Sequence, residues 1–139
     1  MANWYGAART NYVTLTDVVK VKFVCETFDM GLCTNDVGKY AFFPSEDTNG
    51  DFNYSVSDEN GDEIEFSWET EILPFVAEGE VLVVMTSGAE KLRYITGSAE
   101  AYCRVGAEVK STYINLRDIY KQAAKVFDIA LEAIVVAEY

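Results

Sequence analysis

The chain has 139 residues, half of them hydrophobic and 14% aromatic, with 23 acidic against 11 basic residues, no histidine and a net charge of −12. That length suits one domain burying roughly two-thirds of its unfolded surface, and the apolar content excludes a disordered acidic tail. No histidine is present to act as general base or metal ligand, and no apolar run approaches the roughly 18 residues of a membrane span.

The opening Met1-Ala2-Asn3-Trp4 lacks a basic segment followed by an apolar one, so a signal peptide is not expected and a cytoplasmic location is. Cys25, Cys33 and Cys103 are too few and too scattered for a disulfide framework, and read as reduced thiols packed like small hydrophobes. Along the chain, Val13 and Leu15 alternate with Thr14 in a short strand from Asn11 to Leu15. Thr16 or Asp17 is placed to cap a helix in which Val18, Val21, Val24, Cys25 and Phe28 recur at helical spacing. The β-branched residues there also suit a strand, and the spacing decides for the helix. Met30 to Val37, with Gly31, Asn35 and Asp36, reads as a loop.

Asn49-Gly50 and Asn60-Gly61 then separate three runs, Tyr40 to Pro44, Phe52 to Val56 and Ile64 to Trp68. A three-residue loop, Glu59-Asn60-Gly61, sets Val56 opposite Ile64, Tyr54 opposite Phe66 and Phe52 opposite Trp68, and places Gly61 at a left-handed position. Applied to Thr48-Asn49-Gly50, the same argument pairs Phe42 with Val56 and Pro44 with Tyr54, which predicts a three-stranded meander. A helical turn or loop around Glu71 to Ala77 precedes strands at Val81 to Met85, Leu92 to Cys103 and Glu108 to Ile114, with Gly88 and Gly106 as punctuation and Gly97 at a bulge. Asn115 is placed to cap an amphipathic helix carrying Leu116, Ile119, Tyr120, Ala123, Ala124 and Phe127. The tail, Ile129 to Tyr139, is apolar enough to dock as a helix extension or a last strand. The expected fold is a single α+β domain spanning 1–139, mainly antiparallel sheet, with the meander and two or three helices.

Charge carries the functional reading. From Glu26 to Glu80 fifteen acids face one base, Lys39, a balance of −14; the remainder has eight acids and ten bases, or +2. Alternation extended through Glu63, Glu65, Ser67, Glu69 and Glu71 lines carboxylates along one strand face, at a spacing of about 6.6 Å, near two phosphate steps of a DNA strand. With Asp51, Asp58, Glu59 and Asp62 they form the candidate partner-binding set, a surface that steers a basic groove and competes with nucleic acid for it. The same acids also suit a solvated face that maintains solubility. Phe43 and Tyr40 are candidates for an apolar anchor or for core packing.

Other chemistries are disfavoured. Aligned on an EF-hand loop, the two Asn-Gly segments lack the bidentate glutamate, with Val56 and Ser67 at the twelfth position. No phosphate-cradling glycine loop, nucleophile elbow or paired-cysteine spacing is present, so no cofactor, metal site or enzymatic activity is expected. Lys91, Arg93, Arg104 and Lys110 make a small basic cluster better read as outward charges pairing with Glu90, Glu100 and Glu108, so direct nucleic-acid binding is not expected. The alternative reading is a non-enzymatic interaction module, monomeric or joined as a homo-oligomer through the apolar tail or an unpaired strand edge.

Three stretches, Asn3-Trp4-Tyr5-Gly6, Arg9-Thr10-Asn11-Tyr12-Val13 and Gly88-Ala89-Glu90-Lys91-Leu92-Arg93-Tyr94, resemble short acidic proteins carried by phages and conjugative elements. The resemblance covers a small part of the chain and identifies no catalytic residues. It implies an inhibitor of host defence, of the anti-CRISPR or antirestriction type, whose partner is a CRISPR effector or other nuclease complex.

Overall fold

The computed structural model, which describes residues 4–90 and 94–137, is an α+β fold of mainly antiparallel sheet. In chain order the elements are β1 (Trp4–Thr10), α1 (Val18–Thr27), β2 (Met30–Thr34), β3 (Tyr40–Pro44), β4 (Ser55–Ser57), β5 (Glu63–Glu65), β6 (Val81–Glu90), β7 (Tyr94–Val105), β8 (Glu108–Asn115) and α2 (Asp118–Phe127). Short 3-10 turns lie at Glu46–Thr48, Leu73–Phe75 and Leu131–Ala133, and a π turn at Trp68–Ile72. Strands β1-β6-β7-β8 form one antiparallel sheet, while β2 pairs with β3 and β4 with β5.

Strand alternation divides the large sheet into two unlike faces. Leu82 and Val84 of β6, with Ala8 and Tyr102 beside them, enter the core, whereas Val81, Val83 and Met85 point the other way. Over the inner face lie α1, the β2–β3 pair and an aromatic group in which the Trp68 ring meets Phe42, Phe52 and Phe66 edge-on, with centroids 5.6, 4.8 and 4.8 Å away. Thr10, itself buried, ties the layers together: its hydroxyl accepts a 2.8 Å hydrogen bond from the Phe42 backbone N–H. Beyond it, Asn11 extends the ladder with its side chain, donating to Val81 O at 2.9 Å and accepting from Val83 N at 2.8 Å.

Helix α1 forms as the spacing predicts. Asp17 caps it, accepting from Lys20 N at 3.1 Å, and Val21, Val24 and Cys25 are buried, with Phe28 at its end. Three strands differ from expectation. Trp4–Thr10 carries no clear alternation yet forms β1, because β6 offers it a long antiparallel partner, Trp4↔Glu90 to Thr10↔Val84. Val13 and Leu15 make only single bridges, to Tyr40 and Val76. Met30–Thr34 is β2 rather than a loop; the turn it was expected to hold is confined to residues 35–38, where the Asn35 side chain accepts from Val37 N and Lys39 N.

The three-stranded meander is not formed. Tyr40–Pro44 is a strand, but its partner is β2, with Phe42 opposite Leu32 rather than Val56. Asn49 and Gly50 do adopt the left-handed pair their sequence suggests, φ 55° and 90°. Their turn, however, closes a 3-10 segment and docks on β1, where Gly6 N donates to Asn49 O at 3.1 Å. A Cβ on Gly50 would stand 1.8 Å from Gly6 O, so only glycine fits this approach. The second hairpin has the expected register: Val56 is opposite Ile64, Phe66 N donates to Tyr54 O at 2.8 Å, Phe52 touches Trp68, and Gly61 has φ 82°. Its third run is shorter than read from the sequence, because the chain leaves the strand after Glu65 and coils into the π turn at Trp68.

In the C-terminal part Gly88 and Gly97 lie inside regular pairing, Gly88 opposite Thr96 and Gly97 opposite Ser87, so there is no bulge. Gly97 instead makes room for Leu116, whose Cδ1 would sit 3.0 Å from an added Cβ. Asn115 does not cap α2; the roles are reversed, the Asp118 carboxylate accepting from Asn115 N at 2.8 Å. The tail is neither a helix extension nor a strand: after a left-handed Asp128 it folds back on α2, with Ala137 N donating to Tyr120 Oη at 2.8 Å. Its last two residues lie outside the described residues, as do Lys91, Leu92 and Arg93. Among the described residues no helix is long and apolar enough to cross a membrane.

Candidate functional site

The eight acidic residues singled out from the sequence are placed in three settings. Asp51 and Asp58 hold backbone. Asp51 Oδ1 accepts from Phe52 N at 2.7 Å, and Asp58 Oδ1 accepts from Asn60 N and Asp62 N at 2.9 and 2.8 Å, which locks the loop that sets the β4–β5 register. Glu59, Asp62, Glu63 and Glu65 lie exposed on the tip and the β5 arm of that hairpin, Glu63 accepting a hydrogen bond from the Ser55 hydroxyl. Glu69 and Glu71 ride the π turn, the first exposed and the second half-buried. The evenly spaced ladder of carboxylates from Glu63 to Glu71 therefore reduces to Glu63 and Glu65, since a helical turn does not continue the two-residue period of a strand.

What the fold assembles instead is a set drawn from distant parts of the chain. Glu100 and Tyr102 share one face of β7, two residues apart, and the Tyr102 hydroxyl donates to the Glu100 carboxylate. Tyr54, at the mouth of the small hairpin, accepts from Trp68 Nε1 at 3.3 Å. Burial, then the hydrogen bond to Glu100 and the charges of Glu100 and Glu69, push the Tyr102 phenol well above its ordinary range. Burial also raises the Tyr54 phenol, aided by the charges of Asp51 and Glu100 and opposed by the Trp68 bond. The Glu100 charge thus bears on both phenols, and with their values raised both stay protonated hydrogen-bond partners at neutral pH.

Sequence reading missed Glu100, Tyr54 and Tyr102. Glu100 reads from the sequence as a partner of the basic cluster and Tyr54 as a core-face residue, and the packing of the small hairpin and of β7 against one core, which relates them, is not a local property. The spacing Glu100 to Tyr102, which puts both on one strand face, was the available signal. Of the basic cluster, the two described members are engaged locally: Lys110 Nζ lies 3.8 Å from Glu108, and the Arg104 guanidinium donates to Val76 O at 3.1 Å. Lys39, the lone base of the acidic segment, is held by Glu80 at 3.2 Å, so it leaves the surrounding negative field largely intact. Phe43 lies outward over Gly31, whose Cβ would meet its ring at 2.1 Å, while Phe42 takes the core position.

Among nucleophile candidates, burial and the Glu26 charge push the Cys25 thiol up to about 11, far from a reactive thiolate. Among the described residues no group of three or more Cys, Asp or Glu is arranged to hold a metal ion. Comparison with protein-family models, curated proteins and solved structures returns no match for this chain.

Proposed function

We propose that this chain is a non-catalytic inhibitor of the anti-CRISPR or antirestriction type, which lays its acidic region against a basic nucleic-acid-binding groove of a host effector. The observation that carries this reading is the segregation of charge: −14 between residues 26 and 80, its one lysine already paired, against a remainder near neutrality. A field of that sign attracts a Lys- and Arg-lined groove and repels nucleic acid itself, so the partner is a protein rather than DNA or RNA. The contact residues are the exposed carboxylates Glu59, Asp62, Glu63, Glu65 and Glu69, with Glu100 added from β7. Asp51 and Asp58 act by holding the turns, and Glu71 stands at the edge of the set. The hairpin register and the aromatic group beneath it fix these side chains on a rigid support, which lowers the entropy lost on docking.

The test is nuclease protection. The protein is added to a purified CRISPR effector complex and, separately, to a restriction enzyme, and target cleavage is measured at rising salt. Inhibition that weakens as salt rises, and that the triple variant Glu63→Lys, Glu65→Lys, Glu69→Lys loses by about 100-fold or more, is expected, since three reversals remove at least about 3 kcal/mol of charge complementarity. Undiminished inhibition by the triple variant would show that another surface makes the contact.

A further inference from the structure

From the uncovered side of the sheet we infer a second interaction surface, independent of the acidic one: the outer face of β1-β6-β7-β8 receives the C-terminal arm, residues 118–137, of a second copy of this chain. Three successive cross-strand rows make up the centre of this face, Val83–Ala101–Thr112, Arg9–Met85–Ala99–Ile114 and Ala7–Ser87–Gly97, the last closed by Leu116 N donating to Gly97 O at 2.9 Å. They hold one charge, Arg9 at the edge, whose guanidinium is folded over the Tyr12 ring at 5.7 Å. Small side chains at Ala7, Ser87, Gly97 and Ala99 leave a groove of about 510 Å³ between Met85, Ile114 and Leu116, with a further apolar depression of about 170 Å³ over Val83 and Ala101. Met85 is 59% exposed and Ile114 63%.

The arm supplies the converse shape. Helix α2 is strongly amphipathic, yet none of its residues is buried, and Ile119 and Phe127 stand 58% and 68% exposed. An amphipathic helix of ten residues is marginal alone in water and takes its stability from packing its apolar face. One chain therefore carries both a groove of small residues, closed at one end by its own Leu116, and a bare stripe of large ones on α2, and α2 does not fill the groove.

Charge and area select a second copy as the occupant. Residues 94–137 contain five acids and five bases, so two chains of −12 each can meet there with their acidic segments turned away and little Coulomb cost. A basic partner, by contrast, gains nothing from this neutral face. Four strands about 4.8 Å apart and about six residues at about 3.4 Å each, the span of the three rows, give a flat area of about 390 Å². Adding the reciprocal burial of the arm brings the contact to the order of the 800 Å² per partner typical of stable interfaces. A two-fold arrangement in which each arm crosses onto the other sheet uses the same pair of surfaces twice, as closed symmetric dimers do.

Light scattering and sedimentation of the full chain test this, with Met85→Glu on the groove, Ile119→Glu on the arm and Glu63→Lys on the acidic hairpin as a control outside the contact. The expected result is a mass of two 15.5-kDa chains for the parent and the control. Each interface variant should weaken the dimer by at least about tenfold, a carboxylate buried without a partner costing more than 1.4 kcal/mol. Both substituted side chains are exposed in the single chain, and an unchanged far-UV circular dichroism spectrum confirms that the protomer still folds. A monomeric parent at tens of micromolar, a dimer indifferent to both variants, or a dimer weakened by only one of them would each overturn the inference, because groove and arm are buried in the same contact. Loss of nuclease inhibition plays no part in this readout, so the two proposals fail separately.

Discussion

Residues 13–84 and 94–137 are both rich in apolar residues but make opposite use of them. All the buried apolar side chains among the described residues lie between Val13 and Val84, centred on Trp68, Phe42, Ile72 and Leu73. From Ile95 to Ala137 not one described side chain is buried, although Ile95, Val105, Tyr113, Ile114, Ile119, Val126 and Phe127 are all large and more than half exposed. The first region is acidic and holds the core, with Val19, Phe23 and Val37 left exposed at its surface; the second is neutral and open. The contrast teaches that one chain can separate its charge and its core from its exposed apolar surface, placing the first two in one part and the last mainly in another.

The largest blow to this comparison comes at its centre. Trp68→Ala removes three edge-on ring contacts and leaves a cavity among residues that α1 and the π turn hold in place, so a loss of about 3–5 kcal/mol is expected in urea unfolding. A loss under about 1 kcal/mol would mean that the aromatic group is not the organising core, and the division into core-bearing and open regions would go with it.

A smaller pair of effects separates a docked turn from a free one. Gly50→Ala meets both a positive φ and the Gly6 carbonyl at 1.8 Å, and is expected to cost more than about 2 kcal/mol as the 46–51 turn lifts off β1. Gly61→Ala has a similar φ of 82° but nothing near its Cβ, so only the left-handed strain of about 1 kcal/mol applies. Equal costs in thermal unfolding would show that the Asn49-Gly50 turn gains nothing from its seat on the large sheet.

These turns also show what was legible in the sequence. Asn60-Gly61 carries its whole instruction locally, since alternation of Val56, Ile64 and Phe66 and one left-handed glycine suffice to set the register. Asn49-Gly50 carries an equally strong turn signal, and the turn forms, but its neighbours are a 3-10 segment and β1 rather than two hairpin strands. Helix α1 was legible because its buried residues keep a 3.6-residue period. Strands β1 and β2 were not, as Gly6, Gly31 and Thr34 blur their alternation and their partners lie up to 86 residues away, at Trp4↔Glu90. The acidic hairpin was found for a similar local reason, whereas Glu100 is related to it only through tertiary packing of two separate sheets. For α2 the apolar stripe was legible and its exposure was not, because periodicity states which face seeks cover and not what provides it.

The smallest expected effect probes how the acidic segment tolerates its own charge. Burial alone would raise the Glu80 carboxyl, but hydrogen bonds from Thr14 N and the Lys39 ammonium outweigh it and hold the group below the ordinary glutamate range. A carboxylate with a depressed folded-state pKa adds stability that is fully present above the unfolded value and is lost as pH falls through the folded one. Between pH 6 and pH 3 the parent should therefore lose more stability than Glu80→Gln, by no more than the roughly 1 kcal/mol of a partly exposed ion pair. Protonation of the unpaired acids acts in the opposite sense in both proteins, relieving repulsion across residues 26–80, so the difference between the two curves isolates Glu80. Parallel curves would mean that Lys39 and Thr14 N do not hold the Glu80 carboxylate in solution, and that the one base of the acidic segment is not engaged by it.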